Sequence, residues 1–273
     1  MGIFFFNNIS REECLLVSSD VLKNANDKFI SSEKLAQEQK YGSAISFLII
    51  GSEELIKAMI LFLDGIGFRF RSINDMQKVF KNHELRYFVS FIIFSLSVFS
   101  DDLMNFIIKI QNQVITIDDL KKIKSKIKSN DEYFRTKIFQ HIISRIEFLL
   151  QELSWFKNCD IYRQNGLYVD YKDGTQTPLN LKQKDYEELK IRIERVRLAC
   201  NQIFEGLNNE SESNKEYFSN FLSDFNQNNF YEIVGNFIKK IRKERINALD
   251  YILKNMESII KEIKNDLNSK NTI

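Results

Sequence analysis

The chain has 273 residues, of which 44% are apolar and 28% are charged, and its 39 basic and 37 acidic side chains give a formal net charge of +2. This is the composition of an ordinary globular protein, and it excludes a disordered or fibrous chain. The chain contains one proline, nine glycines and 24 phenylalanines. Because a sheet protein of this length would need many more turn residues to reverse its strands, the composition predicts a mostly helical fold.

Three cysteines, Cys14, Cys159 and Cys200, lie far apart and form no C-x-x-C pair. An odd number cannot pair completely within one chain, so we expect a reduced, cytoplasmic protein. With two histidines, His83 and His141, a histidine-rich metal site within one chain is excluded. We therefore expect no metal and no cofactor, and any imidazole chemistry must use one or both histidines.

The sequence predicts no membrane segment. The first residues lack the basic region and the small-residue cleavage site of a signal peptide. Of the two most apolar stretches, residues 45–66 include Glu53, Glu54 and Lys57, and residues 87–99 are too short to span a bilayer. Both stretches are predicted to be buried helices.

Two helices are predicted at the start of the chain. The first covers about residues 10–39, with Ser10 as N-cap and Glu13 completing a capping box. A break at Tyr41 and Gly42 follows it. Apolar residues then recur at helical spacing and predict a second helix.

The second helix is predicted to end at Gly65 and Gly67, which offer C-terminal caps. A third helix, over residues 87–110, is apolar nearly all round and is therefore expected at the centre of a bundle. Further helices are predicted over about residues 131–155 and 183–205.

Residues 160–181 interrupt this helical pattern. They include Gly166, Gly174, the only proline, Pro178, and an alternating Leu-Tyr-Val-Asp-Tyr run. Glycine and proline punctuate regular structure, and alternation of apolar and polar residues is typical of strands. The segment is therefore predicted to be a loop with a short strand or β-hairpin.

A stretch rich in Asn, Ser and Glu sets a boundary after residue 207. We expect one helical bundle over residues 1–207 and a C-terminal helical extension over residues 208–273. The extension contains a long helix with an apolar stripe that Arg245 interrupts. The stripe either docks on the bundle or pairs with a second copy, and the charged interruption favours docking.

Three charged residues interrupt the apolar second helix. Glu53 lies four residues before Lys57 and Glu54 lies three before it, so either carboxylate can form an ion pair within the helix. The simpler interpretation is a surface ion pair. The alternative is a polar site inside the bundle, because buried charges need partners.

Each histidine has an arginine close by in the sequence. His83 and Arg86 are three residues apart at a helix start, which places them on one face, while five residues separate Arg135 from His141. An imidazole moves protons near neutral pH and a guanidinium binds phosphate through two hydrogen bonds, so such a couple suits phosphodiester chemistry. Because this spacing is common by chance, a structural histidine at 141 and a solvated helix start at 83 are the alternatives.

Lysine-rich patches occupy residues 121–128 and 239–245. They are consistent with contact to a phosphate backbone, although runs of charge are most often solvated faces.

Several short sequences occur in a characteristic order. They are a long N-terminal helix followed by Tyr-Gly-Ser-Ala at 41–44, Glu-Glu-Leu-Ile-Lys-Ala at 53–58, His-Glu-Leu-Arg at 83–86, Asn-Gly-Leu-Tyr-Val-Asp-Tyr at 165–171, and Pro178. In this order and spacing, over roughly residues 8–205, the chain resembles the AbiV-type abortive infection proteins of the HEPN superfamily. The resemblance implies an all-α, antiparallel helical bundle in a bacterial anti-phage protein that forms a homodimer.

HEPN relatives often act as metal-independent endoribonucleases with an R-x(4–6)-H motif at a dimer interface. Arg135 and His141 match this motif by spacing, and Glu53, Glu54 and Lys57 match a second-helix signature. The resemblance also implies a histidine followed three residues later by lysine. Here the pair is His83 and Arg86, which keeps the positive charge.

The implied reaction begins when one histidine takes the proton from a ribose 2′-hydroxyl, and the oxygen then attacks the adjacent phosphate. Arg135 or Arg86 stabilises the developing charge, and a 2′,3′-cyclic phosphate is formed. Glu53 or Glu54 orients the base or the arginine, and Lys57 shares the phosphate contact.

The alternative function is a non-catalytic defence protein that binds a phage protein or the translation machinery. A helical scaffold or regulator without a defence role is the third. A nuclease that acts on host RNA must be held inactive before infection, so we expect a phage-encoded protein trigger. Tyr168 and Tyr171 of the 160–181 insertion suit such an interface, unless Tyr168 packs the loop onto its own bundle.

Overall fold

The computed structural model describes residues 8–68, 70–72, 76–111, 132–168 and 177–208, together with Asp250 and Lys254. At residues 72, 99–111, 132–146 and 208 it describes the backbone only. Within these ranges there are five α-helices, three short 3₁₀ segments and no strand, so the predicted all-α fold class is confirmed. The helices are α1 (Arg11–Gln37), α2 (Tyr41–Gly65), α3 (His83–Gln111), α4 (Glu132–Leu167) and α5 (Gln183–Asn208), and the 3₁₀ segments are Phe70–Ser72, Met76–Phe80 and Pro178–Asn180.

The chain divides into two compact units. The first consists of Met1–Phe94 and Phe156–Ala248, and the second of Ser95–Trp155 and Leu249–Ile273. Helices α3 and α4 each contribute residues to both units. The boundary expected after residue 207 stays a prediction.

Helices α1 and α2 form a helical hairpin in the first unit. Glu13 donates its backbone N–H to the Ser10 hydroxyl and accepts from the Ser10 N–H, which confirms the predicted capping box. The chain reverses at Gln39, whose φ of 61° lies in the left-handed region. Because α2 begins at Tyr41, the predicted break at Tyr41 and Gly42 lies too late, and both residues are helical.

Helix α2 is the core element of the first unit, since 17 of its 25 residues are buried. Helices α1 and α5 pack against it. A Cβ at Gly51 would overlap the ring of Phe29, so the glycine lets α1 approach closely. The sequence placed α3 at the centre instead, but α3 leaves Ile92 38% exposed. Over residues 83–98, α3 buries one face with aromatic contacts, such as Phe91 against Phe156.

Arg71 attaches the segment after α2 to the start of the hairpin. Its guanidinium pairs with Asp64, which is 1% exposed, and donates to the Ile9 carbonyl at 2.6 Å. The backbone N–H of Arg71 also donates to Asp64 at 3.0 Å. The buried carboxylate is therefore fully engaged, and it fixes the end of α2.

Helix α4 continues to Leu167, well beyond the end predicted near residue 155. Residues 160–167 are therefore helical, and the predicted loop or hairpin is wrong for this part of the insertion. Gly166 does not make a turn. A Cβ there would overlap Ser46 Oγ and the Gly42 carbonyl, so the glycine allows α4 to contact the start of α2.

The start of α2 also contacts the last part of the 160–181 insertion. A Cβ at Gly42 would overlap the backbone of Pro178. Together with the Gly166 contact, this packing brings three of the short sequences from the AbiV-type resemblance into one neighbourhood. Residues 169–176, where the hairpin would turn, lie outside the described residues.

Other expectations also fall outside the described residues. They are the two lysine-rich patches and almost all of the C-terminal extension, of which Asp250 and Lys254 are described as helical. Among the described helices, none combines the length and apolarity that a membrane crossing requires.

Candidate functional site

The side chain of Glu53 lies at the centre of a buried polar cluster. It is 5% exposed and projects from α2 toward the first turn of α3. The Tyr87 hydroxyl donates to Oε1 at 2.5 Å, and Arg86 Nη2 donates to Oε2 at 2.9 Å. His83 Nδ1 lies 2.8 Å from both carboxylate oxygens. The structure thus joins Glu53 to His83 and Arg86, three of the residues that the sequence singled out.

The start of α3 explains why three side chains reach one carboxylate. The Asn82 side chain accepts the Leu85 backbone N–H at 3.1 Å, as a helix N-cap residue does, and fixes the helix start at His83. Positions 83, 86 and 87 then lie on one helical face by their three- and four-residue spacing. This register directs an imidazole, a guanidinium and a phenol toward α2.

Arg86 is buried, with 2% of the residue exposed. Its Nη1 donates to the Val79 carbonyl at 2.8 Å, and its Nη2 donates to Glu53 Oε2. The same Nη2 also lies 2.8 Å from His83 Nδ1. Its Nε is buried with no hydrogen-bond partner among the described residues. A guanidinium in this position holds Glu53 and the 3₁₀ segment together and does not reach solvent.

The charges of the cluster fix its protonation. Burial raises the pKa of Glu53, but the Tyr87 hydrogen bond, the Arg86 charge and the His83 contact outweigh it, so the net pKa is lowered. Burial, followed by the adjacent Glu53 charge, raises the pKa of Tyr87 and keeps its hydroxyl protonated. Glu53 is therefore ionised and can only accept hydrogen bonds.

An acceptor-only carboxylate favours one tautomer of His83. When Nδ1 carries a proton and donates it to Glu53, the lone pair of the neutral ring is on Nε2. The His83 side chain is 43% exposed. The cluster therefore presents one imidazole nitrogen that can exchange protons with a ligand, supported from behind by a buried carboxylate.

Two members of the cluster were missed by the sequence reasoning. Tyr87 follows His83 by four residues, and this helical spacing was the available signal. Arg163 of α4 donates to Asp160 at 2.6 Å, and its Nε lies 3.9 Å from Glu53 Oε1. The three-residue spacing of Asp160 and Arg163 predicts their own ion pair, but their approach to Glu53 is a tertiary contact without a sequence signal.

Burial lowers the pKa of Arg163, but its hydrogen bond to Asp160 and its interaction with Tyr87 outweigh that effect and raise the pKa overall. Its side chain is 18% exposed, against 3% for Arg86. Arg163 is thus the more exposed of the two guanidinium groups beside Glu53.

Glu54 and Lys57 belong to a different surface of α2. They form an ion pair of 2.5 Å, and both side chains are largely buried. Of the two ion pairs that the sequence allowed, the described contacts show the one with Glu54. It is not a solvated surface pair but lines a groove of about 470 Å³, which we call the Lys57 groove. Its remaining lining consists of Val17, Val21, Leu61, Phe80 and Lys81.

Arg135 and His141 lie in the part of α4 for which the backbone alone is described. The helix places them six residues apart. Their side-chain geometry lies outside the described residues, so their role stays a prediction.

The described helices agree with the all-α fold that the resemblance to HEPN proteins implied. The family model HEPN_AbiV, described as AbiV, matches residues 13–199, which is more than half of the chain. The chain belongs to this family and is an abortive infection protein of the HEPN type. Searches of curated proteins and of solved structures gave no match to the chain.

Proposed function

We propose that this chain is a bacterial anti-phage effector that cuts RNA without a metal and uses His83 to transfer protons. The main support is the position of the His83 imidazole, which lies 2.8 Å from the buried Glu53 carboxylate and is 43% exposed. A carboxylate behind one ring nitrogen fixes the tautomer and stabilises the imidazolium that forms when the other nitrogen accepts a proton.

In the proposed reaction, Nε2 of His83 takes the proton of a ribose 2′-hydroxyl, and the oxygen attacks the neighbouring phosphorus. The bond from phosphorus to the 5′-oxygen of the next nucleotide breaks, that oxygen takes a proton from water, and the His83 imidazolium returns its proton to the resulting hydroxide. The products carry a 2′,3′-cyclic phosphate and a 5′-hydroxyl. Glu53 stays ionised throughout and holds the charged imidazolium.

The burial of Arg86 supports a positioning role for this residue. Its guanidinium is engaged with Glu53 and the Val79 carbonyl, so it holds the carboxylate that holds the imidazole. The cation that binds the scissile phosphate is then a more exposed one. Arg163 is the candidate within the cluster, and Arg135 of the family motif is the alternative.

The second form of this proposal places the reaction at the interface of a homodimer. Arg135 and His141 from two copies meet there and carry out the same reaction, and the Glu53 cluster only supports the structure. Separate replacements of the two histidines decide between the forms, because only the reacting imidazole affects the chemical step.

The test uses purified protein, end-labelled RNA and excess EDTA. We expect cutting with 2′,3′-cyclic phosphate ends, and a fall in kcat of about 10²- to 10⁴-fold for His83→Ala but not for His141→Ala. Glu84→Gln, at an exposed position next to His83 on α3, is the control and should leave kcat unchanged. Loss of all cutting on chelation would overturn the metal-free mechanism, and a defect confined to His141→Ala would transfer the role to that residue.

A non-catalytic defence protein is the second candidate, and the burial of Arg86 favours it, because the exposed imidazole then lacks an equally exposed guanidinium in its own helix turn. Such a protein would bind a phage protein or the translation machinery. Phage protection that survives both His→Ala changes, in folded protein, would establish this candidate over the nuclease.

The proposed trigger is a phage-encoded protein that contacts the 160–181 insertion. Tyr168, the residue directly after α4, is 63% exposed and offers an aromatic contact. Tyr168→Ala should reduce phage-induced arrest while leaving the helical circular-dichroism spectrum unchanged. Full induction in this variant would refute the assignment of the insertion.

A further inference from the structure

We infer that the Lys57 groove binds a nucleobase of the RNA, next to the nucleotide that faces His83. The inference rests on the proposed function for its substrate class, but it concerns a separate surface. No residue of the Glu53 cluster lines the groove. The observations that carry it are the position, the size and the lining of the groove.

The groove adjoins the imidazole along two chain segments. Glu53 and Glu54 are consecutive on α2, so their side chains leave the helix about 100° apart, one toward His83 and the other toward the groove. Lys81 lines the groove and lies two residues before His83, a stretch of chain that spans at most about 7 Å. The groove and the exposed ring are therefore neighbours along both α2 and the chain segment that leads into α3.

The size and the walls of the groove suit a flat heterocycle. A volume of about 470 Å³ is that of a small-molecule site and is far too small for a docked helix. Val17, Val21 and Leu61 give apolar walls, and Phe80 supplies an aromatic ring, the type of group on which bases stack.

The charges of the groove point to a nucleotide rather than an apolar ligand. Lys57 and Lys81 exceed the one carboxylate of the groove, Glu54, which pairs with Lys57, and this excess positive charge complements a phosphate beside the base. Glu54 adds a carboxylate that accepts hydrogen bonds from base N–H groups. We therefore expect a preference for bases with an exocyclic amine over uracil.

The test measures the binding of a fluorescein-labelled ten-nucleotide RNA to full-length protein in a His83→Ala/His141→Ala background, which removes both candidate reacting imidazoles. The double variant Lys57→Ala/Lys81→Ala should weaken binding at least tenfold and lower the slope of log affinity against log salt by about 1, because the charge of Lys57 is already paired with Glu54. Its matched control is Lys23→Ala/Lys34→Ala, which removes the same charge from exposed positions on α1. The control should change the affinity less than threefold.

A second pair of variants tests the apolar walls without changing charge. Val21→Trp fills the groove and should weaken binding severalfold with an unchanged salt slope, and Val17→Ala widens it and should weaken binding to a smaller extent. Circular dichroism verifies the fold of each variant. Because the two substitutions perturb the walls in opposite directions, the wall contribution is measured even if tryptophan is not accommodated.

The outcomes separate this inference from the proposed nuclease. Groove variants that bind RNA as tightly as their control overturn the inference, even where His83→Ala abolishes cutting. Loss of binding in the groove variants of a protein that never cuts RNA supports the groove and refutes the nuclease. A change in oligomeric state in Val21→Trp with unchanged RNA affinity would identify a second copy of the chain as the occupant and overturn the inference.

Discussion

Replacing Glu53 with glutamine tests whether the cluster depends on a buried charge. The substitution keeps the shape of the side chain but removes the negative charge that faces Arg86. It also converts one acceptor oxygen into an NH₂ group, which cannot accept the hydrogen bonds that Tyr87 and Arg86 donate. The buried guanidinium is then left without a counter-ion.

The expected magnitude follows from the burial of both partners, which are 5% and 3% exposed. Removing one partner of a buried ion pair costs about 3–5 kcal/mol, and a retained amide oxygen recovers about 1 kcal/mol as a neutral hydrogen bond. We expect Glu53→Gln to lower the free energy of unfolding by about 3 kcal/mol. Arg86→Met should have a similar effect, because it leaves the carboxylate buried.

The double variant Glu53→Leu/Arg86→Met removes both charges. Replacing a buried pair by apolar residues is often close to neutral, although the Tyr87 hydroxyl here loses its acceptor, at a cost of about 1–3 kcal/mol. We therefore expect a loss of about 2 kcal/mol for the double variant, well below the sum of the single changes. Measured against the single variants Glu53→Leu and Arg86→Met, the difference gives the coupling between Glu53 and Arg86.

Urea unfolding followed by circular dichroism at 222 nm is the assay, with the control Glu84→Gln expected to lie within about 0.5 kcal/mol of the unchanged protein. An unchanged slope against urea shows that the variants alter stability rather than the denatured state. A Glu53→Gln protein as stable as the control would refute the reasoning. So would a double variant whose loss equals the sum of the two single losses.

Three further predictions concern other parts of the first unit. Because the folded-state pKa of Glu53 is lowered, its contribution to stability is present above the unfolded pKa of about 4.3 and is lost as the pH falls through the folded value. Acid should therefore destabilise Glu53→Gln less than the parent protein in urea titrations from pH 6 to pH 2. Parallel stability curves for the two proteins would contradict this. Gly166→Ala should lower stability by about 1–3 kcal/mol, because its Cβ overlaps α2. Gly206→Ala, with open space at its Cβ, should raise stability by about 0.5–1 kcal/mol. Thermal melts in which both variants shift the melting temperature in the same direction would count against the packing argument. All three cysteine thiols are buried, and burial raises the pKa of Cys14 to about 11, so a thiol-specific disulfide reagent should label the native protein far more slowly than the urea-unfolded protein; rapid native labelling would show that a thiol is accessible.

The parts of the fold that depend on local interactions could be predicted from the sequence. The capping box at Ser10 and Glu13 joins residues three apart, and the structure confirms it. The end of α4 could not be predicted in this way. Glycine is typical of a turn, but Gly166 lies in a helix. The residue is glycine there because Ser46 and the Gly42 carbonyl occupy the space that a side chain would need. Glycine at a helix contact and glycine at a turn look alike in one sequence.

The candidate site shows the same division. The three-residue spacing of His83 and Arg86 was sufficient to place both on one helical face. The sequence could not decide which of Glu53 and Glu54 faces that helix, because both lie within reach of Lys57 and the choice depends on how α2 and α3 pack. Arg163 enters the cluster from a helix that begins almost fifty residues after His83, and no local pattern indicates that contact.

Arg86 and Arg163 differ in burial, and the burial of Arg86 makes the choice of arginine at that position important. From the sequence, arginine in place of the expected lysine was interpreted as a mild change that keeps the charge. In the structure, two nitrogens of Arg86 contact the Val79 carbonyl and Glu53 at the same time, which the single nitrogen of a lysine reproduces poorly. The arginine thus fixes the 3₁₀ segment and the carboxylate together. Since its charge is neutralised inside the protein, the proposed RNA contact would draw its positive charge from more exposed groups, such as Arg163 beside Glu53 and the lysines of the Lys57 groove.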